Sequence, residues 1–154
     1  NHTWSHPAMA NLPEEQIKEE FQKCDDIILE ITGKRPEFFR PPFISVSEKM
    51  YECISLPFIC GCGCSDWEAD KDADYRYKKM LEDAQNGVIY LLHVMEGNLA
   101  TLQAVDRIIP VLKEQGYEFV NLPDLFKKTN VNPVMDHSLW SIANNDLSAN
   151  KWPR

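Results

Sequence analysis

The run VIYLLHV at residues 88–94 constrains the fold of this 154-residue chain more than any other stretch. It is apolar almost throughout, too short for a helix of its own, and preceded by Gly87. A run of that kind is the mark of a strand buried on both faces, as in a parallel sheet. Parallel neighbours need crossover connections, and the flanking sequence offers them. Before the run, DADYRYKKMLEDAQNG reads as a capped helix closed by Gly87. After it, NLATLQAVDRIIPVLKEQG reads as another, with Pro110 predicting a kink.

The same alternation continues along the chain. NLPEEQIKEEFQKCDDIILEITGK reads as a helix capped by Asn11, with Pro13 in its first turn and Gly33 as its stop. Ile17, Phe21, Ile28 and Ile31 fall on one stripe at helical spacing. EFFRPPF is extended, because each proline steers the residue before it away from helix. A short helix over SVSEKMYECIS leads to a strand in PFICGCGCSDW, YEFVNL is a further strand, and PDLFKK a final helical turn. About four strands result, an α/β pattern with right-handed crossovers but too few strands to close a barrel. Residues 127–154, with Trp140 and Trp152, show no period and read as an extension wrapped on the surface.

Composition removes several function classes. Acidic residues outnumber basic ones, 24 against 16, and no Lys/Arg cluster tracks a phosphate backbone, so nucleic acid is not an expected partner. No apolar run approaches the roughly 20 residues of a membrane span. The cysteines (Cys24, Cys53, Cys60, Cys62 and Cys64) are odd in number, and the CGCGC spacing sits at the edge of disulfide reach. A thiolate metal site is conceivable there, but small side chains on one face of a buried strand explain the pattern better.

Chemistry concentrates in four stretches, most of them at strand ends. NHTWSH places His2 and His6 four residues apart; RPPF carries Arg40 and Phe43; DW is Asp66 and Trp67; LLH ends on His93 after Leu91 and Leu92. Singly each has a bland reading: a chance histidine pair, a surface charge, a packing tryptophan, a core histidine. Their order matters more, because in parallel α/β sheets and barrels the C-terminal strand ends converge on the active site.

Taken together, His2-Thr3-Trp4-Ser5-His6, Arg40-Pro41-Pro42-Phe43, Asp66-Trp67 and Leu91-Leu92-His93 resemble four of the five ordered motifs of the polysaccharide deacetylases. This is the NodB-homology family, or carbohydrate esterase family four. The resemblance covers the chain to about residue 126, as judged by the strand–helix alternation. It implies that residues 1–126 are the C-terminal part of a distorted (β/α) barrel whose first strands lie outside these residues. His2 and His6 would bind a divalent metal, zinc or else cobalt, which activates water toward an acetyl carbonyl. The Phe43 N–H would stabilise the oxyanion, and Arg40 would hold the carboxylate base. His93 would protonate the leaving group, with Asp66 stabilising its protonated form, and Trp67 and Leu91 would wall the acetyl pocket.

The implied reaction is hydrolysis of N-acetyl groups on peptidoglycan N-acetylglucosamine or a chitin-like polymer. Alternatives are O-deacetylation, as in acetylxylan esterases, and a decayed glycan-binding module. A polysaccharide substrate implies secretion or attachment to the cell envelope. The family's first motif, Thr-Phe-Asp-Asp-Gly, supplies the base and the third metal ligand and does not occur here. The expectation is an N-terminal segment of the same protein that carries it, without which this chain is inactive. Asp25-Asp26 is the only adjacent pair of aspartates, and it reads as a solvated helix face. Three family positions differ: Gly63 stands for the first aspartate of the fourth motif, Ile44 for the glycine after the arginine motif, and Phe43 for the usual tyrosine.

Overall fold

A computed structural model describes residues 1–135, 137–146 and 150. Trp152 lies outside the described residues. The chain divides into two compact units, one built on Asn1–Cys60 with Pro133–Trp140, the other on Gly61–Asn132 with Ser141–Asn145.

In the first unit α1 (Glu14–Thr32) begins two residues later than expected. Asn11 closes a 3-10 turn, and Pro13, extended at φ −66° and ψ 156°, is the residue before the helix. Gly33 ends it in the left-handed conformation, its N–H bonded to the Leu29 carbonyl. The buried face is Ile17 and Cys24 with half-buried Phe21, whereas Ile31, expected on the stripe, is 75% exposed. Asp25 also departs from expectation. It is buried and pairs with Arg35, and only Asp26 is exposed.

A short helix α2 (Glu48–Cys53) then leads to β1 (Phe58–Ile59), whose parallel partner is β4 (Leu139–Trp140). Phe39 flanks β1 by an isolated parallel bridge to Phe58. The core joins Met9, Ile17, Phe39, Met50, Ile54, Phe58 and Leu139. Phe39 and Phe58 meet at 4.9 Å between ring centroids, and Tyr51 stacks on Phe58 at 4.3 Å. Full burial of such a side chain stabilises a fold by about 1.5–3 kcal/mol. This core fixes Phe39, and through it the Arg40 turn that follows.

The second unit pairs β2 (Cys62–Gly63) with β3 (Tyr90–Leu91), again in parallel, and packs α3 (Ala73–Glu82) on α4 (Leu99–Glu114). Cys64, Met80, Ala104, Ile108 and Leu112 form its core. Asp72 caps α3 by accepting from the Tyr75 N–H at 2.8 Å. α4 runs through Pro110, and α5 (Leu122–Thr129) extends the expected single turn to eight residues.

Three expectations need correction. The cysteine segment is not one strand: Gly61 interrupts it at φ 81°, where a Cβ would meet the Ile89 carbonyl oxygen at 2.9 Å. Cys60 and Cys62 consequently serve different units, and all five cysteines are free thiols. YEFVNL forms no strand, since residues 117–121 are irregular and Phe119 is 43% exposed. The remaining strand comes from the segment read as a surface wrap: Leu139 and Trp140 are buried in β4, and Ile142 bridges Val88. No helix among the described residues is long and apolar enough to cross a membrane.

Candidate active site

The first unit gathers His2, His6, Arg40 and Phe43. The His2 and His6 rings lie edge to face with centroids 4.8 Å apart, and His6 stands 4.7 Å from the exposed Phe43 ring. His2 Nδ1 is 2.5 Å from the Arg40 carbonyl oxygen. A carbonyl only accepts, so Nδ1 carries the proton and Nε2 keeps its lone pair. Burial holds the ring's pKa down at about 4, against the help of that hydrogen bond, so the imidazole is neutral at pH 7.

The loop between the two histidines is strained and heavily tied. Thr3 and His6 both have positive φ, 67° and 58°, which is costly for residues with a Cβ and most of all for a β-branched one. Glu20 of α1 accepts the Trp4 N–H at 3.1 Å, the Ser5 N–H at 2.8 Å and the Ser5 hydroxyl at 2.7 Å. Burial alone would push the Glu20 carboxyl up, but the bonds from Ser5 and Trp4 prevail and bring it below its ordinary value. The His6 N–H donates to Thr3 Oγ1 at 3.0 Å.

The Arg40 turn has the same character. Pro41 and Pro42 are fully buried, and Phe43 and Ile44 follow at φ 58° and 52°. Its hydrogen bonds run from the N–H groups of Ile44 and Ser45 to the carbonyls of Pro41 and Pro42, so they leave the Phe43 N–H unused. Of the seven non-glycine residues with positive φ among those described, Thr3, His6, Phe43, Ile44 and Ser65 lie in or beside the four motifs. Strain of this kind collects at functional sites.

The second unit gathers Asp66, Trp67, Leu91 and His93. The β2–β3 register, Gly63 opposite Leu91, sets Asp66 and His93 just beyond adjacent strand ends. The Asp66 side chain is fully buried and accepts from the His93 N–H at 2.7 Å and from His93 Nδ1 at 2.8 Å. Trp67, half exposed, stands edge-on to His93 at 5.6 Å. A Cβ on Gly63 would lie 3.8 Å from both Leu91 Cδ2 and Trp67 Cζ3, so these two side chains lie close over Gly63.

Sequence reasoning missed three residues around Asp66. Thr101 donates to it at 3.2 Å, Asn98 Nδ2 lies at 3.5 Å, and Arg76 bonds to both of them. Only the placement of Asn98 and Thr101 at the start of α4, five and eight residues past His93, hinted at this.

The histidine pair suits a divalent ion. With Zn–N bonds of about 2.0–2.1 Å, two imidazoles on one ion bring their centroids to roughly 5 Å, and their nitrogens must be neutral. His2 and His6 meet the spacing, and His2 meets the charge condition. Among the described residues no group of three or more His, Cys, Asp or Glu stands ready for a metal, so the pair by itself falls short of the three protein ligands of a usual zinc site.

Comparison with known proteins bears on the family of the chain. Residues 1–55 match the family model described as polysaccharide deacetylase. The bifunctional xylanase/deacetylase of Pseudobutyrivibrio xylanivorans is 39% identical over 140 residues, 91% of this chain and 23% of that protein. The peptidoglycan-N-acetylglucosamine deacetylase PgdA of Listeria monocytogenes is 30% identical over 82% of this chain and 27% of its own length. The chain thus spans about a quarter of these two relatives. Among solved structures, the Xyl-CE4 domain of a xylanase from the hindgut metagenome of Trinervitermes trinervoides superposes with a TM-score of 0.89 at 38% identity. That match covers 93% of this chain and 70% of that one. A family 4 acetyl xylan esterase from Clostridium thermocellum, solved with a cobalt ion, gives 0.86 at 32% identity, covering 92% and 70%. This chain belongs to the polysaccharide deacetylase family.

Proposed function

We propose that the protein containing this chain removes acetyl groups from a polysaccharide by metal-assisted hydrolysis. The observation that carries this reading is the pairing of a fully buried Asp66 with His93 at 2.8 Å. A carboxylate accepting from Nδ1 leaves His93 Nε2 as the site that takes up and releases a proton. His93 is thereby the acid that delivers a proton to the departing oxygen or nitrogen.

The other roles follow from the chain's own atoms. His2 and His6 would hold a divalent ion, zinc or cobalt, through imidazole nitrogens. When bound, the ion supplies Lewis acidity toward the acetyl carbonyl and toward water. The unused Phe43 N–H is a donor for the oxyanion, fixed in direction by the proline-buttressed turn. The Arg40 carbonyl orients His2, and its side chain is assigned to the carboxylate base that the family's first motif provides. Trp67 and Leu91 confine the acetyl methyl above Gly63.

The sequence reading put N-deacetylation of an amino-sugar polymer first and O-deacetylation second. Identity to the relatives supports the reverse order. Those named for xylan are 32–39% identical, whereas curated relatives named for peptidoglycan are 28–32% identical. We therefore assign acetylated xylan as substrate, with the N-acetylated polymers as the second reading and a location outside the cell or at its envelope. Acetate release by the full-length, zinc- or cobalt-loaded protein should be faster on acetylated xylan than on chitooligosaccharides or peptidoglycan. Loss of activity with chelator and its return with metal is the expected control. Failure of the full-length protein to bind either metal would instead establish a decayed glycan-binding module.

A further inference from the structure

The roles above leave one buried cation without a use. Arg76, on α3, is 3% exposed, and every guanidinium nitrogen donates a hydrogen bond. Nε bonds the Lys71 carbonyl at 2.8 Å and Nη2 the Glu68 carbonyl at 3.1 Å. Nη1 bonds Thr101 Oγ1 at 2.7 Å and Asn98 Oδ1. All four acceptors are neutral oxygens, an expensive setting for a buried charge unless a counter-charge lies close behind them. That counter-charge is Asp66, which takes hydrogen bonds from Thr101 at 3.2 Å and Asn98 at 3.5 Å.

Donor and acceptor counts leave this network a single arrangement. A guanidinium only donates, and an ionised carboxylate only accepts. Thr101 has one hydroxyl hydrogen; its oxygen receives Arg76, so the hydrogen goes to Asp66. Asn98 turns its oxygen to Arg76, so its amide hydrogens face Asp66 and the His93 carbonyl, the latter at 3.1 Å. Each of the two neutral side chains is therefore a one-way relay from the cation to the anion.

We infer that Arg76, acting through Thr101 and Asn98, is a positioning residue that keeps Asp66 an acceptor and thereby holds His93 as its Nδ1–H tautomer with Nε2 free. The catalytic value of this arrangement rests on the deacetylase reading above; the tautomer itself does not. A protonated Asp66 could donate to Nδ1 and leave Nε2 carrying the hydrogen, and a rotated one would leave the tautomer unfixed; either way Nε2 is no longer the one site that takes up and releases the proton. Arg76 also ties the Glu68 and Lys71 carbonyls, so its removal alone would confuse positioning with loop support. Thr101→Val separates the two, since it keeps the shape, leaves those carbonyl bonds and deletes only the Thr101 relay, whose 3.2 Å bond to Asp66 is the shorter of the two.

The test uses the full-length protein with its histidine rings labelled by nitrogen-15, beside steady-state kinetics on acetylated xylan. Wild type and Thr101→Ser should show His93 as one tautomer, protonated at Nδ1. Thr101→Val should show both tautomers, with kcat lower by about 10–100-fold, the range for outer-layer partners of a site. KM and zinc affinity should stay within about twofold, because neither depends on the His93 proton. Arg76→Met combined with Thr101→Val should cost no more than the worse single change, since Arg76→Met already removes the cation at the head of the Thr101 relay. Should Arg76→Met fail to fold, the Thr101 pair decides alone. A Thr101→Val protein that keeps the wild-type tautomer and kcat would overturn the inference and reduce Arg76 to a loop tie. A wild type that releases no acetate from any polymer defeats the deacetylase reading, while the tautomer comparison still decides the role of Arg76.

Discussion

The candidate residues fall into two halves, one in each unit, built by opposite means. Around His2 and His6 the chain uses backbone: strained φ angles, N–H groups satisfied by one glutamate, and a carbonyl that orients a ring. Around Asp66 and His93 it uses side chains: a buried carboxylate, a hydroxyl, an amide and a guanidinium in one network. A backbone-built site tolerates exposure, because its geometry survives contact with water. A side-chain network of this kind gains from burial, where each hydrogen bond is stronger and each loss dearer. The first half should therefore fail gradually when altered, and the second abruptly.

The sharpest way to break that contrast is Asp66→Asn. It keeps the volume but removes the charge, and its amide can offer Nδ1 a hydrogen where a lone pair is needed. Acetate release should fall by about 10²–10⁴-fold, the range for losing a positioned acid, with zinc affinity unchanged. A loss below about tenfold would show that His93 does not depend on its buried partner. The corresponding change in the first half is Glu20→Ala, which frees the Trp4 and Ser5 N–H groups to water but leaves both histidines in place. Zinc or cobalt affinity, read by titration, should drop by about 10–100-fold, with the fold retained. No change would mean that the strained loop holds itself.

These residues also show what the sequence made legible. Asp66 and His93 were readable because parallel strands bring successive strand ends to one edge, and the β2–β3 register does so. The strand count came close for the wrong reason. YEFVNL has the composition of a strand and forms none, while Leu139–Trp140 forms one too short to show a period. Two-residue ladders are set by tertiary partners, which no local pattern reports. Arg76 was invisible on similar grounds: on a helix an arginine reads as a solvated charge, and only the fold reveals its burial. Ile31 erred the other way, since an apolar residue at the right spacing carries no information on where its helix stops being covered.

A smaller effect separates the halves by pH. His2 titrates at about 4 in the folded chain because burial disfavours its charged form, against 6.5 as the reference for an unfolded chain. Protons therefore favour the unfolded state as pH falls through that window. The stabilising contribution is complete above about pH 6.5 and is lost progressively toward pH 4. Denaturant midpoints of metal-free protein should decline between pH 6.5 and 4.5, and His2→Gln should flatten that slope. An unchanged slope in His2→Gln would show that the ring is not held neutral by burial.

The smallest expected effect concerns Ile44, which stands where the family pattern has glycine and keeps a glycine-like φ of 52°. An L-residue in that region costs roughly 1–2 kcal/mol, more for a β-branched one. The half-buried side chain recovers part of this by packing against the first unit's core. Ile44→Gly removes strain and packing together, so stability should change by less than about 1 kcal/mol. Ile44→Ala keeps the strained Cβ and loses the packing, so it should be the more destabilised variant. That inverts the usual order, in which glycine is the worse substitution. Chemical denaturation of the two variants decides it: if alanine is the better tolerated, the turn that aims the Phe43 N–H relaxes on substitution, and its direction is set by packing rather than by backbone.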